Sequence, residues 1–191
     1  MTDRRALDAY YTPTHLADRL VDVLPIDPAD YVLEPHAGGG AFHRSLRGRC
    51  RVIPMDVDPD LGWRCGDFLA DRWVESQAWD WVVGNPPYDA AEEHVRRALA
   101  VTRRHVVFLL RLAFFETSAR VPFWAAHGRH LRHCWVLAQR PSFGQKVDGQ
   151  ASLFGQSVID FDGRTDACAY GWFWFDLEHT GPSAVTVLSW K

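Results

Sequence analysis

The sequence contains no apolar run approaching the roughly 18 residues that a membrane span needs, and Met1-Thr2-Asp3-Arg4-Arg5 lacks the apolar core of a signal peptide. No membrane association is expected, and the expected location is the cytoplasm. Four cysteines, Cys50, Cys65, Cys134 and Cys168, are scattered without a close pair, which fits neither a zinc site nor a disulfide framework. His127, His130 and His133 recur at a spacing of three, but Gly128, Arg129 and Arg132 among them favour a basic helix-to-strand connection, so no metal is expected. Internal repeats, low-complexity runs and a second-domain linker are also missing. What is present is 191 residues, 47% hydrophobic and 24% charged, the size and composition of a single domain over 1–191.

Net charge is only −3, so the overall balance does not announce a polyanionic partner. Its distribution says more. Residues 52–90 hold eight acids against two arginines, a net of −6, whereas residues 91–140 hold nine arginines against three acids, a net of +6. A protein that holds a cationic cofactor with one half and approaches a polyanion with the other shows this asymmetry; two solvated faces with a chance bias show it too.

Taken in order, the chain alternates short apolar strands with amphipathic helices. Tyr10-Tyr11-Thr12-Pro13 precedes a helical pattern with Leu16, Leu20, Val23 and Leu24 on one face, and Thr12 is the expected N-cap. Tyr31-Val32-Leu33-Glu34 reads as a strand and Pro35 to Gly40 as a glycine-rich turn into a helix. That turn lets a ligand approach the backbone, but it is not G-x-G-x-x-G, so no dinucleotide site is expected. Arg51 to Asp56 is a second strand ending in an acid, about twenty residues beyond Glu34, the separation at which ribose hydroxyls are bound in doubly wound folds; Asp58 competes with Asp56. Asp67 either accepts from an adenine amine or caps a helix.

Trp79 to Gly84 then delivers Asn85-Pro86-Pro87-Tyr88. Two prolines remove two backbone donors and fix two φ angles, leaving carbonyl acceptors beside the Asn85 amide and the Tyr88 ring. Such a turn could hold a planar molecule with an exocyclic amine, or merely end a strand. Ala90 to Val101 reads as a helix, His105 to Arg111 as a buried strand and Phe114 to Ala126 as helical. Leu131 to Leu137 and Ala169 to Phe175 read as strands flanking a polar segment, 141–166, and Ala184 to Trp190 as one more.

Together, Tyr11-Thr12-Pro13, the Glu34-to-Gly40 turn, Asp56, Asp67 and Asn85-Pro86-Pro87-Tyr88 resemble the S-adenosylmethionine-dependent amino-methyltransferases that modify adenine N6 in DNA. Arg111 to Glu116, Arg140-Pro141-Ser142-Phe143 and Ala169 to Phe173 are similar to pieces of small phage-type members. The resemblance implies an α/β, Rossmann-like class I methyltransferase fold: a seven-stranded, mostly parallel sheet with the seventh strand antiparallel and helices on both faces. The four-residue motif is shared with RNA and protein-glutamine methyltransferases, so the polymer is left open between DNA and RNA.

The resemblance also implies roles. Tyr11, Thr12, Glu34, His36, Gly38, Gly40, Asp56, Asp67, Phe68 and Asn85 would bind S-adenosylmethionine, with Thr12 over the methionine carboxylate, Asp56 on the ribose and Asp67 on the adenine amine. Asn85, Pro86, Pro87 and Tyr88 would be catalytic. Tyr88 and Phe143 would face the target base, with Arg111 and Arg140 toward the nucleic acid. No target-recognition domain of the usual size fits after Tyr88, so segment 141–166, a specificity partner or a homodimer would supply recognition. His36 departs from the family's usual turn and makes pH-sensitive affinity an expectation.

Overall fold

The computed structural model describes residues 10–151, 157–161 and 165–191. The Met1-to-Arg5 stretch and parts of segment 141–166 lie outside the described residues. The strands are β1 (Tyr31–Glu34), β2 (Arg51–Asp56), β3 (Arg64–Cys65), β4 (Trp79–Gly84), β5 (Thr102–Arg111), β6 (Leu131–Leu137), β7 (Gln145–Ala151), β8 (Ser157–Asp160), β9 (Tyr170–Asp176) and β10 (Ala184–Leu188). Helices are α1 (Thr14–Asp22), α2 (Ala41–Leu46), α3 (Arg72–Glu75), α4 (Ala91–Val101) and α5 (Val121–His127). One sheet has the order β3-β2-β1-β4-β5-β9-β6-β10, and β7 pairs with β8 as a separate two-stranded ribbon.

All neighbours in the large sheet run parallel except around β9, which is antiparallel to both β5 and β6. The sheet therefore has eight strands where the sequence implied seven, because β10 adds a parallel edge along β6, from Ala184 beside His133 to Leu188 beside Leu137. Helix α1 starts at Thr14 with Pro13 in the cap position and no side-chain cap, so Thr12 is not the N-cap expected of it. The stretch expected to be one helix from Phe114 breaks into two short 3-10 turns before α5, with Thr117 at φ 95° between them.

Strand periodicity sorts the core into two layers. Trp81, Val83, Val107, Leu109, Trp172 and Trp174 point to the layer that takes Leu16, Leu20 and Val21 of α1 and Phe42 and Leu46 of α2. Their neighbours Val82, Val106, Phe108, Leu110, Phe173 and Phe175 point to the other layer, with Val95, Ala98 and Leu99 of α4 and Phe123 of α5. Helices thus cover both faces, and the continuous apolar strands are the sequence signature of that double burial. Within the first layer Trp172 is fully buried and lies 5.2 Å from Phe42 with their planes 2° apart. Trp172→Ala is expected to cost about 3–5 kcal/mol, measured by urea unfolding. A cost under about 1 kcal/mol would contradict this account of the core.

Candidate active site

Parallel strands end on one edge, so β1, β2 and β4 bring Glu34, Asp56 and Asn85 to neighbouring points there. The turn between β1 and α2 is held from two sides. Gly38 N–H donates to Asp56 Oδ2 at 2.8 Å, and Trp63 Nε1 donates to Gly38 O at 2.7 Å. Gly38 and Gly40 have φ of 48° and 76°, left-handed values that favour glycine. A Cβ at Gly38 would stand 3.0 Å from the Tyr11 ring, and one at Gly40 would stand 2.7 Å from Trp63.

Beside this turn opens a cavity of about 390 Å³, lined by Tyr11, His36, Gly38, Asp56, Asp67, Phe68 and Asn85 and also by Tyr10, Asp58, Pro87, Asp89 and His94. Its size is that of a small-molecule site. Seven of the expected cofactor residues are therefore brought together; Thr12, Glu34 and Gly40 do not line this cavity. Asp56 accepts from Gly38 N–H on one oxygen and from Asp58 N–H on the other at 3.0 Å. Burial raises its pKa, and those backbone donors oppose the rise. Asp67 accepts from Leu69 N–H at 2.9 Å and caps a turn; the cap of α3 is Asp71. Glu34 is fully buried, and burial, then the charge of Asp56, pushes its pKa well up. Thr12 lines a second cavity of about 500 Å³, with Arg44, Trp190 and Lys191, on the other side of Tyr11.

His94 of α4 was not legible as a site residue, because a single histidine within a helical pattern carries no motif. In the structure His36 Nε2 and His94 Nδ1 are 2.8 Å apart, and Phe68 packs on both rings. Burial, then the neighbouring His94, lowers the His36 pKa well below its ordinary value. Burial lowers His94 to about 4, against opposing pulls from Asp67 and Glu93.

The Asn85 carboxamide is fixed by its nitrogen. Nδ2 donates to Tyr10 O at 2.9 Å and to Thr12 Oγ1 at 3.2 Å. With both donor positions directed to acceptors, the oxygen is assigned by the network, and Asn85 Oδ1 is buried with no hydrogen-bond partner among the described residues. Tyr88 and Phe143 are also buried, with centroids 6.2 Å apart and planes at 59°. Arg111 lies over the Tyr88 ring at 4.7 Å. Arg140 is exposed and lines neither cavity. Six of the nine arginines of 91–140, namely Arg96, Arg97, Arg103, Arg104, Arg120 and Arg132, pair with carboxylates. The basic half is accordingly less available to a polyanion than its count suggested.

Among the described residues, no cluster of three or more His, Cys, Asp or Glu side chains is arranged to hold a metal ion, and no helix is long and apolar enough to cross a membrane.

No family model matches the chain. A Type II methyltransferase, M.TthHB8I of Thermus thermophilus, is 32% identical over 110 residues, covering 52% of this chain and 25% of that protein. The chain thus spans about a quarter of that relative's length. Among solved structures, the M protein of the type I restriction enzyme EcoKI superposes with a TM-score of 0.63 at 12% identity, over 97% of this chain and 49% of that one. A methyltransferase subunit of a type I restriction-modification system from Streptococcus thermophilus gives 0.61 at 11% identity, over 94% and 47%. The 23S rRNA methyltransferase ErmE gives 0.55 at 16% identity, over 90% and 71%. The fold is that of the class I methyltransferases, and the sequence likeness is to a Type II methyltransferase.

Proposed function

We propose that the chain transfers a methyl group from S-adenosylmethionine to the exocyclic N6 amine of adenine in DNA. The observation that carries this reading is the buried Asn85 Oδ1, which has no hydrogen-bond partner among the described residues while Nδ2 donates to Tyr10 O and Thr12 Oγ1. A buried acceptor left unpaired costs about 1–3 kcal/mol, and an amine donor entering the site removes that cost. The residues also fit the cofactor: the cavity combines the Gly38 backbone, the Phe68 ring and the carboxylates Asp56, Asp58 and Asp67, which suit a ribose, an adenine and a cationic centre. When bound, S-adenosylmethionine would supply the methyl on a sulfonium, its sulfur leaving as a neutral thioether and one amine proton passing to water.

The chain's own part is positioning. An amine conjugated to a purine is a poor nucleophile, because its lone pair is delocalised into the ring. Asn85 Oδ1 and the Pro86 carbonyl accept its two N–H bonds and favour a pyramidal nitrogen with its lone pair directed at the methyl group. Pro87 stiffens the turn, and Tyr88 stacks on the base. In a duplex the base is first flipped out, at a few kcal/mol. Recognition of sequence is assigned to segment 141–166, a specificity partner or a second copy.

Neutral imidazoles suit a cationic cofactor. His36 and His94 carry no charge at pH 7, since both pKa values are depressed. An unfolded imidazole takes up its proton near pH 6.5, and the folded ones do so only lower, so the unfolded state binds more protons as pH falls from about 6.5 towards about 4. Stability is lost in that window, by at most about 1.4 kcal/mol per pH unit for each imidazole. Glu34 and Asp56, whose pKa values are raised, act in the opposite direction at acid pH.

Two outcomes are expected. Between pH 7 and pH 5 the melting temperature of His94→Asn loses less, or gains more, than that of wild type; an identical pH slope in the variant excludes a contribution from His94. With labelled S-adenosylmethionine offered separately to duplex DNA, single-stranded DNA, RNA and protein extract, N6-methyladenine appears in DNA, and Asn85→Ala lowers kcat by about 100-fold or more. Label confined to RNA or protein overturns the DNA reading, and full activity in Asn85→Ala overturns the mechanism.

A further inference from the structure

We propose that the Tyr10 side chain is a displaceable gate, filling the place against Tyr88 that an incoming target base needs; this rests on the methyl-transfer reading above. A base sandwiched between two rings requires them parallel and about 7 Å apart, twice an aromatic contact of about 3.5 Å. Tyr88 and Phe143 stand at 6.2 Å and 59°, and a third ring is already against both. The Tyr10 centroid lies 4.9 Å from Tyr88 at 43° and 5.5 Å from Phe143 at 76°. Arg111 Nη2 donates to Tyr10 Oη at 3.2 Å and clamps the ring from its polar end, while its guanidinium covers Tyr88. No flat molecule reaches the Tyr88 face while Tyr10 remains there.

Of the rings in this group, Tyr10 is the one that can leave. Tyr88, Phe143 and Tyr170 are 6%, 4% and 1% exposed and belong to the first core layer, whereas Tyr10 is half-buried and packs at its margin. Phe143 is further held by its chain neighbour, since Gly144 N–H donates to Tyr11 O at 2.8 Å and Tyr11 N–H to Gly144 O at 3.3 Å. Tyr10 meets Asn85 through its backbone carbonyl. Rotation about the Tyr10 Cα–Cβ bond therefore carries the ring away, breaks the bond to Arg111 and leaves the Asn85 carboxamide in its fixed orientation. Entry of the base and preservation of the acceptor are compatible because ring and carbonyl belong to the same residue but move independently.

The gate has a sign that a fixed wall lacks. If the open state is a minority, the apparent affinity for the acceptor is reduced by the fraction open. Removing the ring then strengthens acceptor binding, whereas removing a wall that touches the base weakens it. The test measures kcat and KM for unmethylated duplex DNA in wild type, Tyr10→Ala, Tyr10→Val and Tyr10→Phe, with S-adenosylmethionine saturating. Melting temperature and far-UV circular dichroism serve as folding controls. Tyr10→Ala and Tyr10→Val should lower KM for DNA about five-fold, and Tyr10→Phe, which keeps the ring and loses the hydroxyl that Arg111 bonds, about two-fold. Tyr10→Val and Tyr10→Phe decide the matter if Tyr10→Ala unfolds. An unchanged or raised KM in folded variants of an active enzyme overturns the gate alone. Wild-type protein that transfers methyl groups to no nucleic acid overturns the underlying reading, and the gate falls with it.

Discussion

The orientation of one carboxamide governs what this site can do. Asn85 Nδ2 is bound by a carbonyl and a hydroxyl from the segment before α1, so its oxygen is committed to the site by elimination. If the amide turned over, it would present donors to a donor, and an exocyclic amine would be repelled. The segment Tyr10–Thr12 is thus part of the acceptor machinery although it lies more than seventy residues away in sequence. It is tied to the rest by the bridge between Tyr11 and Gly144 and by the contact of the Tyr11 ring with Gly38. One strip of chain consequently touches the glycine turn, the Asn85 turn and the aromatic group beneath Tyr88.

The sheet supplies the remaining constraint. Parallel β1, β2 and β4 place a carboxylate, a second carboxylate and the amide on one edge, and the turn after β1 is fixed by a bond from its Gly38 amide to Asp56. Charge follows the same division. Acids gather around the cavity, and histidines that would oppose a cationic ligand are kept neutral, His36 by burial and by His94, and His94 by burial. On the opposite half, arginines spend most of their charge on carboxylates, as Arg97 does on Glu75 and Arg104 on Asp30. A polyanion would find fewer free cations there than the sequence count offers.

Much of this was readable from the chain. The continuous apolar strands follow from local periodicity, while the doubly covered sheet and the cavity residues Tyr11, His36, Gly38, Asp56, Asp67, Phe68 and Asn85 are what the resemblance carried by the motifs implies. The errors lie where tertiary contacts override local rules. Thr12 looks like a helix cap, but its hydroxyl accepts from Asn85, and Pro13 takes the cap position instead. The strand over Ala184 to Trp190 was legible, but its place as an eighth strand along the edge of β6 was not. His94 and Trp63 belong to the site only because α4 and the loop after β2 fold against the turn. Tyr10 reads as a residue before a helix, and its ring is placed among Tyr88, Phe143 and Arg111 by contacts that span over a hundred residues.

The account stands or falls on what Asn85 Oδ1 meets. The most direct measurement is a crystal structure of the protein with sinefungin and an adenine-bearing oligonucleotide. The account predicts a flipped adenine whose N6 lies within about 3.2 Å of Asn85 Oδ1, with Nδ2 still bound to Tyr10 O and Thr12 Oγ1. An amide turned so that Nδ2 faces the base, or a base whose amine lies away from Asn85, would contradict it.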